Sequence, residues 1–249
     1  MSTTLRMIQA AVAAGTTTIV CTPHLYNKDP DLVKRVRRVH AETVTAVEEA
    51  GIPVRLLSGF EVDPSVALTS DTDTLRTLCV YDQDGGRNVL IMETPYSGWP
   101  PLFEQNIRRL VTGGIQPVLA HPERNDRVQR SPDILAGCMD AGAVLQGTSG
   151  SFSPLFRRDS HKTFYELLAR GWFGLLASDG HSEPEYTWSL GPLLAELGDR
   201  ITAEERDLLV WVNPARVLEG KRPIPMVTTI ARRRGGDSRA VCVRRGMSI

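Results

Sequence analysis

Residues 118–124 read VLAHPER. Val118, Leu119 and Ala120 suit a buried strand, and Pro122 cannot donate to a strand ladder, so the strand ends at His121. Other apolar segments end in the same fashion. TTTIVCTPH (16–24) is β-branched and apolar and stops at His24. VRLLSGFE (54–61) runs to Glu61, NVLIMETP (88–95) carries Glu93 near its end, and FGLLASDGH (173–181) runs to Asp179 and His181. AVLQGTSG (143–150) is a further strand.

Helical segments lie between them. Residues 2–4 can cap a helix in which Leu5, Ile8, Ala11 and Val12 recur at helical spacing before Gly15. Residues 31–50 place Leu32, Val36, Val39, Thr43 and Val47 on one face, and Gly51 stops the helix. PLFEQNIRRLVTGG (101–114), SPDILAGCMDAG (131–142), DSHKTFYELLARG (159–171) and the stretches 187–197 and 203–212 also read as helices. Residues 63–87 are irregular apart from a short helix over 72–78. Strands alternating with helices imply a parallel α/β fold, and about six such units in one chain favour a barrel over an open sheet.

Barrel enzymes gather their chemistry at the carboxyl ends of the strands. Here five strands end in residues able to bind a metal: His24, Glu61, Glu93, His121, and Asp179 with His181. Any one of these histidines alone reads better as a hydrogen-bonded structural residue. Five strand ends in register point instead to a ring of ligands, and a mixed imidazole and carboxylate set suits Zn, Mn or Fe in a multi-metal hydrolytic site. His40 and His161 lie inside helical segments and read as structural. Arg124, three residues after His121, is either a surface ion pair or a bidentate grip for phosphate at the mouth of the site. Glu123 reads as a supporting or surface residue.

Composition narrows the alternatives. Lys+Arg and Asp+Glu are each 29, so the basic excess typical of nucleic-acid binders is absent. No apolar run reaches the ~18 residues of a membrane span, and the amino terminus lacks the apolar centre of a signal peptide. Cys21, Cys79, Cys138 and Cys242 form no CxxC pair, which implies reduced thiols in a cytoplasmic protein. The sixth residue after each cysteine is Asn27, Gly85, Val144 and Ser248. None is the arginine a thiol phosphatase needs, and no GxSxG or GxxxxGK[ST] motif occurs. The last segment, ARRRGGDSRAVCVRRGMSI, holds six arginines. It reads as a basic solvated tail over 225–249, following a domain over 1–224.

TTTIVCTPH, LLSGFEV, VLIMETP, QPVLAHPERN, TSGSF and LLASDGH resemble, in order and spacing, the PHP-superfamily protein-tyrosine phosphatases of bacterial capsule and exopolysaccharide loci. The resemblance covers roughly residues 5–223. It implies a distorted seven-stranded (β/α)7 PHP-type barrel with up to three divalent ions, commonly manganese. The implied substrate is a phosphotyrosine protein, a membrane-associated tyrosine kinase that controls polysaccharide export. The resemblance further implies that Glu61 bridges the first and second metals, that Glu93 and His121 complete the second, and that Asp179 ligates the first. His24 and His181 would hold the third, and Arg124 would grip the phosphate. Glu93 stands where many other PHP phosphoesterases have histidine and favours the tyrosine-phosphatase branch. Family members open with a strand carrying a DxHxH-type motif and a glycine- and aspartate-rich loop. This sequence has neither, so a barrel lacking its first strand is expected. The alternatives are a weakened or inactive form that binds phosphotyrosine without cleaving it, and another PHP phosphoesterase.

Overall fold

The computed structural model describes residues 2–82, 84–152, 158–181 and 189–226. Two segments expected to be single strands are each broken once. Residues 16–24 contribute β1 (Thr18–Cys21) and the start of β2 (His24–Leu25), and residues 54–61 contribute β3 (Arg55–Ser58) and the start of β4 (Glu61–Val62). Pro23 has no N–H to offer at the first break. At the second, Gly59 lies so close to Val80 that an added Cβ would meet its side chain at 3.2 Å. The breaks fall level with one another, since Cys21 pairs with Ser58 and His24 with Glu61. Hydrogen bonds from Gly59 N–H to the Cys21 carbonyl and from Glu61 N–H to the Pro23 carbonyl carry the pairing across the bend. The two strands therefore bend together and pass from one sheet into another.

Below the bend, β1 and β3 join β5 (Tyr81–Asp82) and β6 (Gly85–Gly86) in a sheet of order β1-β3-β5-β6. Above it, β2 and β4 join β7 (Val89–Glu93), β8 (Gln116–Ala120), β9 (Val144–Thr148) and β10 (Phe173–Ala177). This second sheet has the order β10-β9-β8-β7-β4-β2 and is parallel throughout. It is the mixed α/β, parallel architecture that the alternation of elements demands. Among the described residues it is not closed into a barrel, and β2 and β10 are its edges. The sheet nevertheless curls until His24, on one edge, and His181, beyond the other, bring their Nε2 atoms to 3.4 Å.

The helices are α1 (Ser2–Ala13), α2 (Pro30–Glu49), α3 (Pro64–Thr69), α4 (Thr72–Leu78), α5 (Phe103–Thr112), α6 (Asp126–Arg130) and α7 (Leu135–Asp140). They continue with α8 (Arg158–Ala169), α9 (Gly191–Leu197), α10 (Ala203–Asp207) and α11 (Asn213–Leu218). Asp29 caps α2, its side chain accepting from the N–H groups of Asp31 and Leu32, and Pro30 suits the first turn. On this helix Thr43 and Val47 are buried, whereas Val39 faces outward. The segment 131–142 is not one helix, because a 3₁₀ turn over Pro132–Ile134 precedes α7. The helix expected over 203–212 runs on through a π turn into α11. The first residues of the helix expected over 187–197, and the tail from 227 onward, lie outside the described residues.

Both faces of the parallel sheet are buried, as such sheets require. Leu90, Met92, Leu119, Leu145 and Leu176 pack outward against Ile107, Leu110, Phe164 and Leu167 of the helices. Val20, Leu57, Val89, Ile91, Val118 and Leu175 form a separate inner cluster with Val217. Side chains on a strand alternate faces with a period of two. His24 shares its parity with Val20, Glu61 with Leu57, and Glu93 with Ile91, so these three polar residues cap the inner apolar column.

Candidate metal centre

His24, Glu61 and Glu93 each offer one ligand atom to a common point, these atoms lying within 4.8 Å of one another. Strand pairing brings this about: β2 lies beside β4 with His24 opposite Glu61, and β4 beside β7. His121 arrives differently. Continued alternation past Val118 and Ala120 would send it outward with Leu119. Its backbone instead turns left-handed at φ +38°, an uncommon conformation for a histidine, and the ring swings to the mouth. There His121 Nε2 lies 2.8 Å from Glu61 Oε1. Asp179 also takes positive φ, +52°. Because β10 ends at Ala177, Asp179 and His181 stand in the loop beyond the strand and not on it.

The electrostatics of this cluster are those of a site with too much negative charge and too few partners. Burial raises Glu93, and the nearby Glu61 charge raises it further. Glu61 feels the same penalty of burial, but hydrogen bonding and charge from His121, with help from His24 and Arg124, hold its carboxyl below the ordinary range. Burial pulls the His121 imidazole down, and the Glu61 carboxylate more than restores it, so its pKa is raised. Nδ1 of His24 and Nδ1 of His121 are buried without a hydrogen-bond partner among the described residues. The orphaned Nδ1 of His24 beside two close carboxylates fits a divalent cation, which supplies the missing partner and relieves the repulsion.

Arg124 is neither on the surface nor a simple salt bridge. Its Nη1 donates to Asp179 Oδ2 at 2.7 Å and its Nε to Ser151 Oγ at 3.2 Å. Both members of the ion pair have side chains under 10% exposed. Glu123, expected as a supporting or surface residue, is fully buried behind the site. Burial pushes its carboxyl up, against the opposing pull of the Arg124 charge and the Ser151 hydroxyl. Two aromatic rings missed by the sequence reading flank the ligands. Tyr26 stacks on His24 and Tyr96 on His121, and both remain about half exposed. Each follows a strand-end ligand within three residues, a signal that a single sequence hides.

The remaining histidines are structural. His40 packs edge-on against Tyr81, and His161 against Phe152. Burial pushes the thiols of Cys21 to about 11 and of Cys79 and Cys138 to about 12, far from a reactive thiolate at neutral pH. No helix among the described residues is long and apolar enough to cross a membrane.

The family model for capsular polysaccharide synthesis, CpsB/CapC, matches residues 1–219. The tyrosine-protein phosphatase YwqE of Bacillus subtilis (strain 168) is 29% identical over 182 residues, covering 72% of this chain and 69% of YwqE. Among solved structures, one from a study of YwqE from Bacillus subtilis and CpsB from Streptococcus pneumoniae, described as metal-dependent tyrosine phosphatases, superposes with a TM-score of 0.75. It has 24% identity and covers 91% of this chain and 90% of the other. A variant of organophosphorus hydrolase from Deinococcus radiodurans matches with a TM-score of 0.54 at 16% identity, covering 86% of this chain and 82% of that one. These last two likenesses concern the fold.

Proposed function

The chain belongs to the capsular polysaccharide synthesis family CpsB/CapC, and from that premise we propose that it is a metal-dependent protein-tyrosine phosphatase. The observation that carries the reading is the His24–Glu61–Glu93 cluster with His121 bonded to Glu61, set beside the buried guanidinium of Arg124. His24, Glu61, Glu93, His121, Asp179 and His181 are the metal ligands, with manganese as the first candidate ion. Divalent ions in such a site supply Lewis-acid neutralisation of phosphoryl charge and a nucleophilic water at neutral pH. Glu61 sits between the two histidine groups, so one carboxylate can serve two ligand positions. Arg124 presents a planar fork matched to phosphoryl oxygens and adds fixed positive charge where negative charge develops. Tyr96, stacked on His121, lies close enough to Arg124 to accept a hydrogen bond from it. The leaving tyrosine oxygen has a pKa near ~10, so it departs without a strong acid at its side. The substrate class is a phosphotyrosine protein in the cytoplasm, with a membrane-associated kinase of polysaccharide export as the specific partner.

The test is hydrolysis of p-nitrophenyl phosphate and of a phosphotyrosine peptide by purified protein reloaded with manganese after chelation. Turnover by wild type, and its loss in His121→Ala, is expected. No turnover with manganese, zinc, iron, cobalt or magnesium overturns the reading and leaves binding without cleavage.

A further inference from the structure

The TSGSF stretch has no role among the proposed ligands, and Glu123 is a fully buried acid outside the metal cluster. The structure joins them. Glu123 Oε1 accepts the Ser151 hydroxyl at 2.6 Å and the Thr148 N–H at 3.0 Å. Its backbone carbonyl is held by Gln129 Nε2 at 3.0 Å. Glu123, Thr148 and Ser151 are all 0–1% exposed. A serine hydroxyl has one hydrogen. With that hydrogen committed to Glu123, only lone pairs face Arg124, and Ser151 Oγ receives the Arg124 Nε–H at 3.2 Å.

We infer that Glu123 and Ser151 are positioning residues that set the orientation of the Arg124 guanidinium for phosphate. A guanidinium anchored at one nitrogen can still rotate out of plane. Arg124 is held at Nε by Ser151 and at Nη1 by Asp179, and its plane is thereby fixed. Glu123 never touches the substrate. It acts through the direction of one hydroxyl, and that hydroxyl sits on the turn after β9, while Glu123 and Arg124 follow β8. Adjacent strands thus align the fork across the top of the sheet. The inference rests on the reading of Arg124 as the phosphate-gripping residue.

The experiment is calorimetric titration of manganese-loaded protein with inorganic phosphate, which needs no turnover. Arg124→Ala should weaken phosphate binding by at least ~10-fold, the value of a charge-assisted hydrogen bond. Ser151→Ala should weaken it by about 3–10-fold, the value of a neutral one. Glu123→Leu should do the same through Ser151. Glu123→Gln, which keeps an oxygen acceptor for Ser151 and Thr148, should restore affinity to within about twofold of wild type, less than the value of one hydrogen bond. Ser151→Ala added to Arg124→Ala should cost nothing further, because the group it orients is gone. The same loss from Ser151→Ala with and without Arg124 overturns the positioning role alone. An Arg124→Ala protein that binds phosphate like wild type overturns the reading of Arg124, and this inference with it. Should Glu123→Leu fail to fold, Ser151→Ala and the double substitution still decide the matter.

Discussion

Two carboxylates with equally covered side chains, Asp82 near the surface under its own arginines and Glu61 deep in the sheet, sit on opposite sides of the bend in the paired strands. Each side chain is about 5% exposed. Asp82 is gripped by Arg55 and Arg87, both reaching it from the solvent side. Glu61 has no arginine or lysine in contact among the described residues. Its neighbours are His121, a distant His24 and a second carboxylate, Glu93. A buried charge that is fully partnered closes a structure, and one that is under-partnered awaits a ligand. One bent segment reaches both environments, with Arg55 on β3 in the first and Glu61 on β4 in the second, and the break at Gly59 lies between them.

The largest expected effect breaks the Glu61 side of this contrast. Glu61→Ala should reduce phosphatase activity by more than ~100-fold and lower manganese content, read by kinetics and elemental analysis, since even residues that only support a ligand cost 10–100-fold. Asp82→Asn should leave activity and metal content within about twofold of wild type, as its partners lie outside the site.

Metal removal sharpens the contrast next. A cation present at about 100 times its dissociation constant stabilises the folded state by ~2.7 kcal/mol. In a chain of this size that is a rise of roughly 5–10 °C in Tm. Calorimetric melting with and without chelator should show this gap in wild type and in Asp82→Asn, and lose most of it in Glu61→Ala.

Asp82→Asn itself should lower stability by at most about 1 kcal/mol, less than for a fully buried pair, because Arg55 and Arg87 can return to water. Denaturant melts that show no loss would mean the two arginines contribute nothing there.

The smallest effect is a pH dependence of the metal-free protein. The raised His121 pKa gives a contribution that is full below the unfolded value near ~6.5 and fades as pH rises through the folded one. The depressed Glu61 pKa gives one that is present above about 4.3 and lost as pH falls through the folded value. Both hold between about pH 5 and 6.5. The stability difference between metal-free wild type and Glu61→Gln should be largest there and shrink as pH rises through the folded His121 value. A flat profile would show that the His121–Glu61 pair carries no linked proton.

Much of this was legible before any coordinates. The strand end at Glu93, and one a residue short of His121 at Ala120, followed from apolar runs halted by a polar residue and proline. The residues His24, Glu61, Glu93, His121, Asp179 and His181 were marked by their place at those ends, and the Asp29–Pro30 start of α2 is ordinary capping chemistry. Strand and helix periods are local properties, and a single chain displays them. Three things were decided only in the tertiary structure. The segments 16–24 and 54–61 each split in two, because a shared bend is a contact between strands 37 residues apart in sequence. Glu123 became fully buried and Arg124 was clamped by Asp179, 55 positions away. The outward parity of His121 was reversed by a left-handed backbone that the surrounding packing imposes. Local sequence determines which side chains stand at the ends of strands. Which of them share a buried, under-partnered space depends on long-range pairing and on the burial it creates, and the candidate metal centre lies in that shared space.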